Sequence, residues 1–132
     1  MMNSVNLGLQ KAERTKNQIV QVLEQLTRDY QNIQPELRLI AVNFPAGEDE
    51  FSILEEIELL TVKIRGYASQ IQVRDKIDNP QLAIEDLKNL TIFDIPAIAD
   101  FYFGSDGEYQ RMKVYLQKLD YLRLVVIEYL SI

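Results

Sequence analysis

Apolar positions recur along this chain at helical spacing almost from end to end. Val5, Ala12, Ile19, Leu26 and Ile33 return every seven residues, with Leu9, Leu23 and Tyr30 beside them. This pattern predicts one long helix over about Val5 to Asn32, with Lys11, Glu13, Arg14, Lys16, Glu24 and Arg28 on its solvated side. Such a seam serves a bundle core or an intermolecular coiled coil, and the run is short for a coiled coil. Pro35 ends the first pattern and is placed to open a second, short helix. Glu36 to Phe44 fits two readings: Leu37, Leu39 and Ala41 alternate like a strand, while Leu37, Ile40 and Phe44 match a helix face. A lone strand has no visible partner here, so a short helix or an extended connector is expected before the break at Pro45-Ala46-Gly47.

The second long helix is expected from Ser52 to Ile77. Ser52 and Glu55 form a capping-box signature, and Ile57, Leu60, Ile64, Tyr67 and Ile71 repeat at spacings of three and four. Asp78-Asn79-Pro80 stops it and starts another, with Asn79 as cap and Pro80 at the first position. That third helix, Pro80 to Leu90, turns Leu82 or Ala83, then Ile84, Leu87 and Leu90, inward. A fourth short element, Ile95 to Phe103, is expected with Asp94 as its cap and Gly104 at its end. The last helix, Asp106 to Leu130, has Ser105 and Glu108 as a capping box and an inward stripe of Tyr109, Met112, Leu116, Leu119, Leu122, Val126 and Tyr129. The sum is an all-α protein: one domain over residues 1–132, an antiparallel helical bundle of three long and two or three short helices.

Composition narrows the chemistry more than the fold. The 132 residues include no His, no Cys and no Trp, and 47% are hydrophobic against 26% charged, a globular balance. Without Cys there is no disulfide, zinc-thiolate site, iron–sulfur cluster or thiol nucleophile; without His there is no imidazole base or Ser–His–Asp triad. No cofactor and no metal site is expected. The first ten residues carry no base and do not read as a signal peptide. No apolar run approaches the roughly 20 residues that span a bilayer, so a cytoplasmic protein without a membrane partner is expected. Lys and Arg number 14 against 20 Asp and Glu, a formal net charge of -6, which argues against nucleic-acid binding through bulk charge.

Three features bear on function. Glu48, Asp49, Glu50, Glu55, Glu56 and Glu58 put six acids within eleven residues with no base among them. They read as a docking patch for a basic protein or as complements to a helix N-terminal dipole; the spacing does not match a Ca²⁺ loop. Phe101, Tyr102 and Phe103 span about 200° of helical arc, so they do not share one core face. They belong either to a local core or to an interface, where Tyr and Phe are favoured. The final helix is apolar on nearly all sides near its end, from Tyr121 to Ile132, as is a helix central to its own bundle or shared between subunits. The reading taken is a symmetric dimer, with Phe101, Tyr102, Phe103, Leu122, Val126 and Tyr129 as the apolar interaction residues.

Two other chemistries are weaker. Arg111, Lys113, Lys118 and Arg123 alternate with Tyr115 and Tyr121, the combination a single strand of RNA or DNA uses, yet Ser105 to Ile132 sums to zero charge. Asp94, Asp100, Asp106 and Glu108 offer paired carboxylates for a His-free enzyme, but nothing in their spacing demands it. Gly66 stands inside the second long helix, where it costs about 1 kcal/mol relative to Ala; close approach of another helix or simple tolerance at a surface explains it. The expected function is a non-catalytic protein–protein interaction module, an adaptor, regulator or small complex subunit that is homo-oligomeric through apolar helix faces. The alternatives are a helical subunit of a nucleoprotein assembly touching RNA or DNA through a local basic face, and a carboxylate enzyme.

Overall fold

The computed structural model describes residues 4–45, 47, 52–90, 95–105 and 107–132, and every regular element among them is helical. α1 spans Ser4–Asn32, α2 Gln34–Asn43, α3 Ile53–Arg74, α4 Pro80–Lys88, α5 Ile95–Phe103 and α6 Gln110–Leu130, with a 3-10 turn at Gly107–Tyr109 leading into α6. The fold is an all-α helical bundle, with three long and three short helices among the described residues. None of these helices is long and apolar enough to cross a membrane.

The local start signals act where they stand in the sequence. Ser52 Oγ accepts the Glu55 backbone N–H at 3.1 Å, and Asn79 Oδ1 accepts that of Leu82 at 3.2 Å with Pro80 at the helix start. The stretch after Pro35 is helical. Its first turn nearly continues α1, since Ile33 donates to the Asp29 carbonyl at 3.0 Å and accepts from Leu37 at 2.9 Å. Pro35 has no N–H for that ladder, and the helix is interrupted at Ile33, which stands as the N-cap of α2 at φ -91° and ψ 1°.

α4 ends at Lys88, two residues before the expected Leu90, and two boundaries differ from expectation by more. α3 stops at Arg74 and not at Ile77, because Asp75 takes the left-handed conformation at φ 64°. Asp is one of the few residues that tolerates this region, and two distant groups hold it there. Its carboxylate pairs with Lys16 of α1, and its carbonyl accepts the Tyr129 hydroxyl of α6 at 2.6 Å. α6 begins at Gln110 and not at 106, with Tyr109 at its N-cap and no side-chain bond from that residue. The buried Glu36 of α2 reaches across instead and accepts the Arg111 backbone N–H at 3.1 Å. A carboxylate at this end also complements the helix dipole. Asp94 and Asp106, expected at helix starts, lie outside the described residues.

Cross-helix pairs set the directions. Lys11 meets Glu128, Asp29 meets Lys118 and Asn32 meets Arg111, so α1 runs antiparallel to α6. Lys16 with Asp75 and Thr27 with Arg65 make α1 antiparallel to α3 as well. α3 and α6 therefore run parallel, and the chain between them returns through α4 and α5. One apolar core joins Ile19, Leu26 and Ile33 to Leu60, Ile64 and Ile71 of α3 and to Met112, Leu116, Leu119, Leu122 and Val126 of α6. α6 packs against α1, α2, α3, α4 and α5. Its inward stripe is thus covered from several sides within the chain, while Val114, Tyr121 and Leu124 stay 39%, 47% and 51% exposed on the rest of the helix.

Candidate functional site

At the end of α5 the three consecutive aromatics separate as the arc of a helix requires. Phe103 turns into the core and stacks on Tyr109, with ring centroids 4.8 Å apart at 28°. Phe44, at the end of α2, meets Phe103 at 6.0 Å, Tyr109 at 6.1 Å and Tyr102 at 5.9 Å, in each case edge to face. The Asn43 amide donates to the Tyr109 hydroxyl at 2.7 Å and fixes that ring from above. Gly104, at φ 52°, ends the helix, and the Lys113 ammonium donates to its carbonyl. On this platform Tyr102 sits at the rim, and Phe101 stands out of it, 81% exposed and edge-on to Tyr102 at 5.1 Å. The outcome is a large apolar ring exposed to water, with the rim residue Tyr102 beside it.

The other expected interaction residues sit elsewhere. Leu122 and Val126 are 0% exposed in the single chain, and Phe103 is 3% exposed. These three fill the core and present no surface to a partner, which corrects their expected place in an interface: the neighbours of α6 already cover them. Tyr129 is half-buried and commits its hydroxyl to the Asp75 carbonyl. Burial, and then the nearby Asp75 carboxylate, push its phenol pKa up.

Of the acidic run, Glu55 and Glu56 lie in the first turn of α3 and Glu58 follows, exposed. Glu48, Asp49 and Glu50 lie outside the described residues. No three acidic side chains among the described residues gather around a point where a metal ion could sit. The bases of α6 are engaged within the chain. Lys118 pairs with Asp29 at 2.6 Å, Arg123 with Asp120 at 3.0 Å, and the Arg111 guanidinium reaches the Asn32 carbonyl at 3.5 Å. Arg123 also donates to the Leu87 carbonyl of α4 at 3.2 Å and Lys113 to that of Gly104, so these bases are taken up within the chain and form no open row for phosphates.

Two arrangements escaped the reading of the sequence. The first is a polar clamp between α3 and α4. The Tyr67 hydroxyl donates to Asp86 Oδ2 at 2.7 Å, and Lys63 donates to Asp86 Oδ1 at 3.1 Å. The hydrogen bond from Tyr67, then Lys63, hold the Asp86 carboxyl below its usual range, while Tyr67 is pushed up to about 12 by that bond and by burial. The second is the outer face of α3. Leu59, Val62 and Val73 are 53%, 70% and 79% exposed, and a Cβ added at Gly66 between them would meet nothing within 4 Å. Their spacing along the helix was the available signal, masked by the stronger inward stripe beside it.

The clefts are shallow grooves between helices. One of about 440 Å³ lies between α1 and α6 and is lined by Asp29, Asn32, Gln110, Arg111 and Lys118 among others, and its charges are largely paired with one another. Another of about 280 Å³ lies between the α1–α2 corner and α3, over Tyr115. Tyr115 is raised in pKa by burial and sits 3.4 Å from the Thr61 hydroxyl. Comparison with known protein families, with curated proteins and with solved structures finds no match for this chain.

Proposed function

We propose that this chain is a cytoplasmic, non-catalytic protein–protein interaction module, an adaptor, regulator or small complex subunit that works by helix-face recognition and associates with itself. The observation that carries the reading is Phe101, a bare aromatic ring on a platform built from Phe44, Tyr102, Phe103 and Tyr109. An exposed aromatic ring offers a large apolar contact area for only two side-chain torsions to fix, which is how aromatic anchors concentrate binding energy at interfaces. The remaining acids of the α3 start, Glu55, Glu56 and Glu58, add a field that favours a basic partner.

Phe101→Asp tests it. Nothing in the core depends on this side chain, so the variant is expected to keep its helical content and thermal midpoint. The proteins recovered with the tagged wild-type chain from its own cells should be depleted at least about ten-fold, the effect of ~1.4 kcal/mol. The same recovered set for both chains defeats the proposal. Recovery of nucleic acid instead, lost steeply as salt rises, replaces it with the nucleoprotein reading.

A further inference from the structure

We infer that the outer face of α3 is a second contact surface, and that its occupant is α3 of another copy of this chain, crossing antiparallel at Gly66. Leu59, Gly66 and Val73 recur every seven residues, and Val62 falls between the first two, so the four form one stripe on the side of α3 away from the core. Gly is, after Pro, the residue least suited to a helix interior. No neighbour within the chain requires it here, because a Cβ at Gly66 would meet nothing within 4 Å. A backbone passing close to the stripe at its midpoint would require it.

The charges choose the partner and its direction. Within α3 all three acids, Glu55, Glu56 and Glu58, come first, and all three bases, Lys63, Arg65 and Arg74, come after them. A parallel copy sets acid on acid. An antiparallel copy lays the acidic start of one helix against Arg74 near the end of the other, leaves Lys63 and Arg65 beside the crossing point, and opposes the two helix dipoles. With a two-fold axis at Gly66, Leu59 of each chain faces Val73 of the other. Glu56 and Arg74 are eighteen residues apart, five whole turns, and so share one flank of the stripe. A two-fold antiparallel pair keeps each flank on its own side, which brings Glu56 of one chain beside Arg74 of its copy. Arg74 rests on Asp78 at 3.5 Å in the isolated chain, an exposed pair that exchanges at little cost. A contact of one helix per subunit lies below the usual ~1,200 Å² of stable complexes, so the dimer is reversible and concentration-dependent.

This surface rests on the interaction-module reading but is separate from Phe101, and sedimentation equilibrium of the full chain over micromolar to millimolar concentration tests it. The wild type is expected to pass from 15.4 kDa to twice that mass. Gly66→Leu is expected to weaken the dimer by at least about ten-fold with an unchanged circular dichroism spectrum, since the monomer leaves room for the larger side chain. Glu56→Lys and Arg74→Glu are each expected to weaken it, and an equimolar mixture of these two variants to restore it, because each reversed end then meets its complement. A wild type that stays at 15.4 kDa throughout overturns the inference. So does a dimer indifferent to Gly66→Leu, or a mixture no tighter than the separate variants. A dimer lost to Phe101→Asp but kept by Gly66→Leu moves self-association to α5 and leaves the broader reading standing. Loss of α3 pairing with Phe101-dependent capture intact removes only this surface.

Discussion

α6 and α3 are close in length, 21 and 22 residues, and both carry apolar residues on more than one side. The fold treats them differently. α6 is inserted among the other helices, so Met112, Leu116 and Val125, spread over about half of its circumference, are buried, and Tyr121 and Leu124 are left 47% and 51% exposed. α3 has its neighbours on one side, so Ile57, Leu60 and Ile64 are covered while Leu59, Val62 and Val73 are not. A helix packed by five others in this short chain therefore buries about half of its circumference and leaves part of its apolar surface outside. Apolar residues are left outside on both helices, and those of α3 are the barer, Val62 and Val73 at 70% and 79% against 51% for Leu124.

The sharpest way to break this contrast is to place the same charge on each helix. Val126→Asp puts an unpaired carboxylate where no water reaches and is expected to cost more than about 4 kcal/mol, enough to unfold the chain. Val62→Asp, on the open face of α3, is expected to stay within about 0.5 kcal/mol of wild type in dilute solution. Urea denaturation followed by circular dichroism separates the two. Equal losses would mean that α3 is covered and the contrast is false.

The helix starts give a second contrast. α3 is capped by Ser52, three residues from its partner Glu55, whereas α6 is capped by Glu36, 75 residues from Arg111. Removing either acceptor is expected to cost about 1–2 kcal/mol, with Glu36→Ala the larger because it also removes a charge at the dipole and opens a space in the core. If Ser52→Ala proves the more damaging in urea titrations, the distant carboxylate is not what holds the start of α6.

The same difference explains what was legible in the sequence. The helical class, the inward stripes and the caps at Ser52 and Asn79 depend on residues within one or two turns of each other, and the periodicity displays them. The stop at Asp75 depends on Lys16 and Tyr129, and the start of α6 at Gln110 depends on Glu36. Those partners become neighbours only after the bundle has formed. The interaction residues divide in the same way. Three consecutive aromatics cannot all be inside, so one of them had to be out. Which one follows from the seating of Phe103 between Phe44 and Tyr109, a tertiary fact. Leu122 and Val126 were open to either reading until the position of α6 in the bundle decided it.

Titration sharpens the comparison on the flank of α3 that α4 covers. Asp86 has a depressed pKa, so its contribution is complete above the usual carboxylate value of about 4 and is lost as pH falls below that. Tyr67 has a raised one: its contribution is complete below the usual phenol value of about 10 and is lost as pH climbs towards about 12. Tyr67→Phe is expected to reduce the alkaline loss to the part that the raised phenols of Tyr115 and Tyr129 contribute, and to flatten the acid one, because Lys63 still holds Asp86. Urea midpoints measured across both windows check this, and an unchanged alkaline slope would place the titrating group elsewhere.

The smallest effect concerns Gly66, and its sign carries the information. In a lone chain Gly66→Ala meets no neighbour and removes the freedom that Gly has when unfolded, so it is expected to stabilise by about 0.5–1 kcal/mol. A second helix lying across this position has to move out to make room for the added methyl, and the dimer then loses part of what the monomer gains. Thermal midpoints at low and high protein concentration distinguish the two states. A gain that shrinks as concentration rises assigns Gly66 to a contact between copies. A gain that stays constant makes Gly66 a glycine that the surface merely tolerates, and Leu59, Val62 and Val73 ordinary exposed residues.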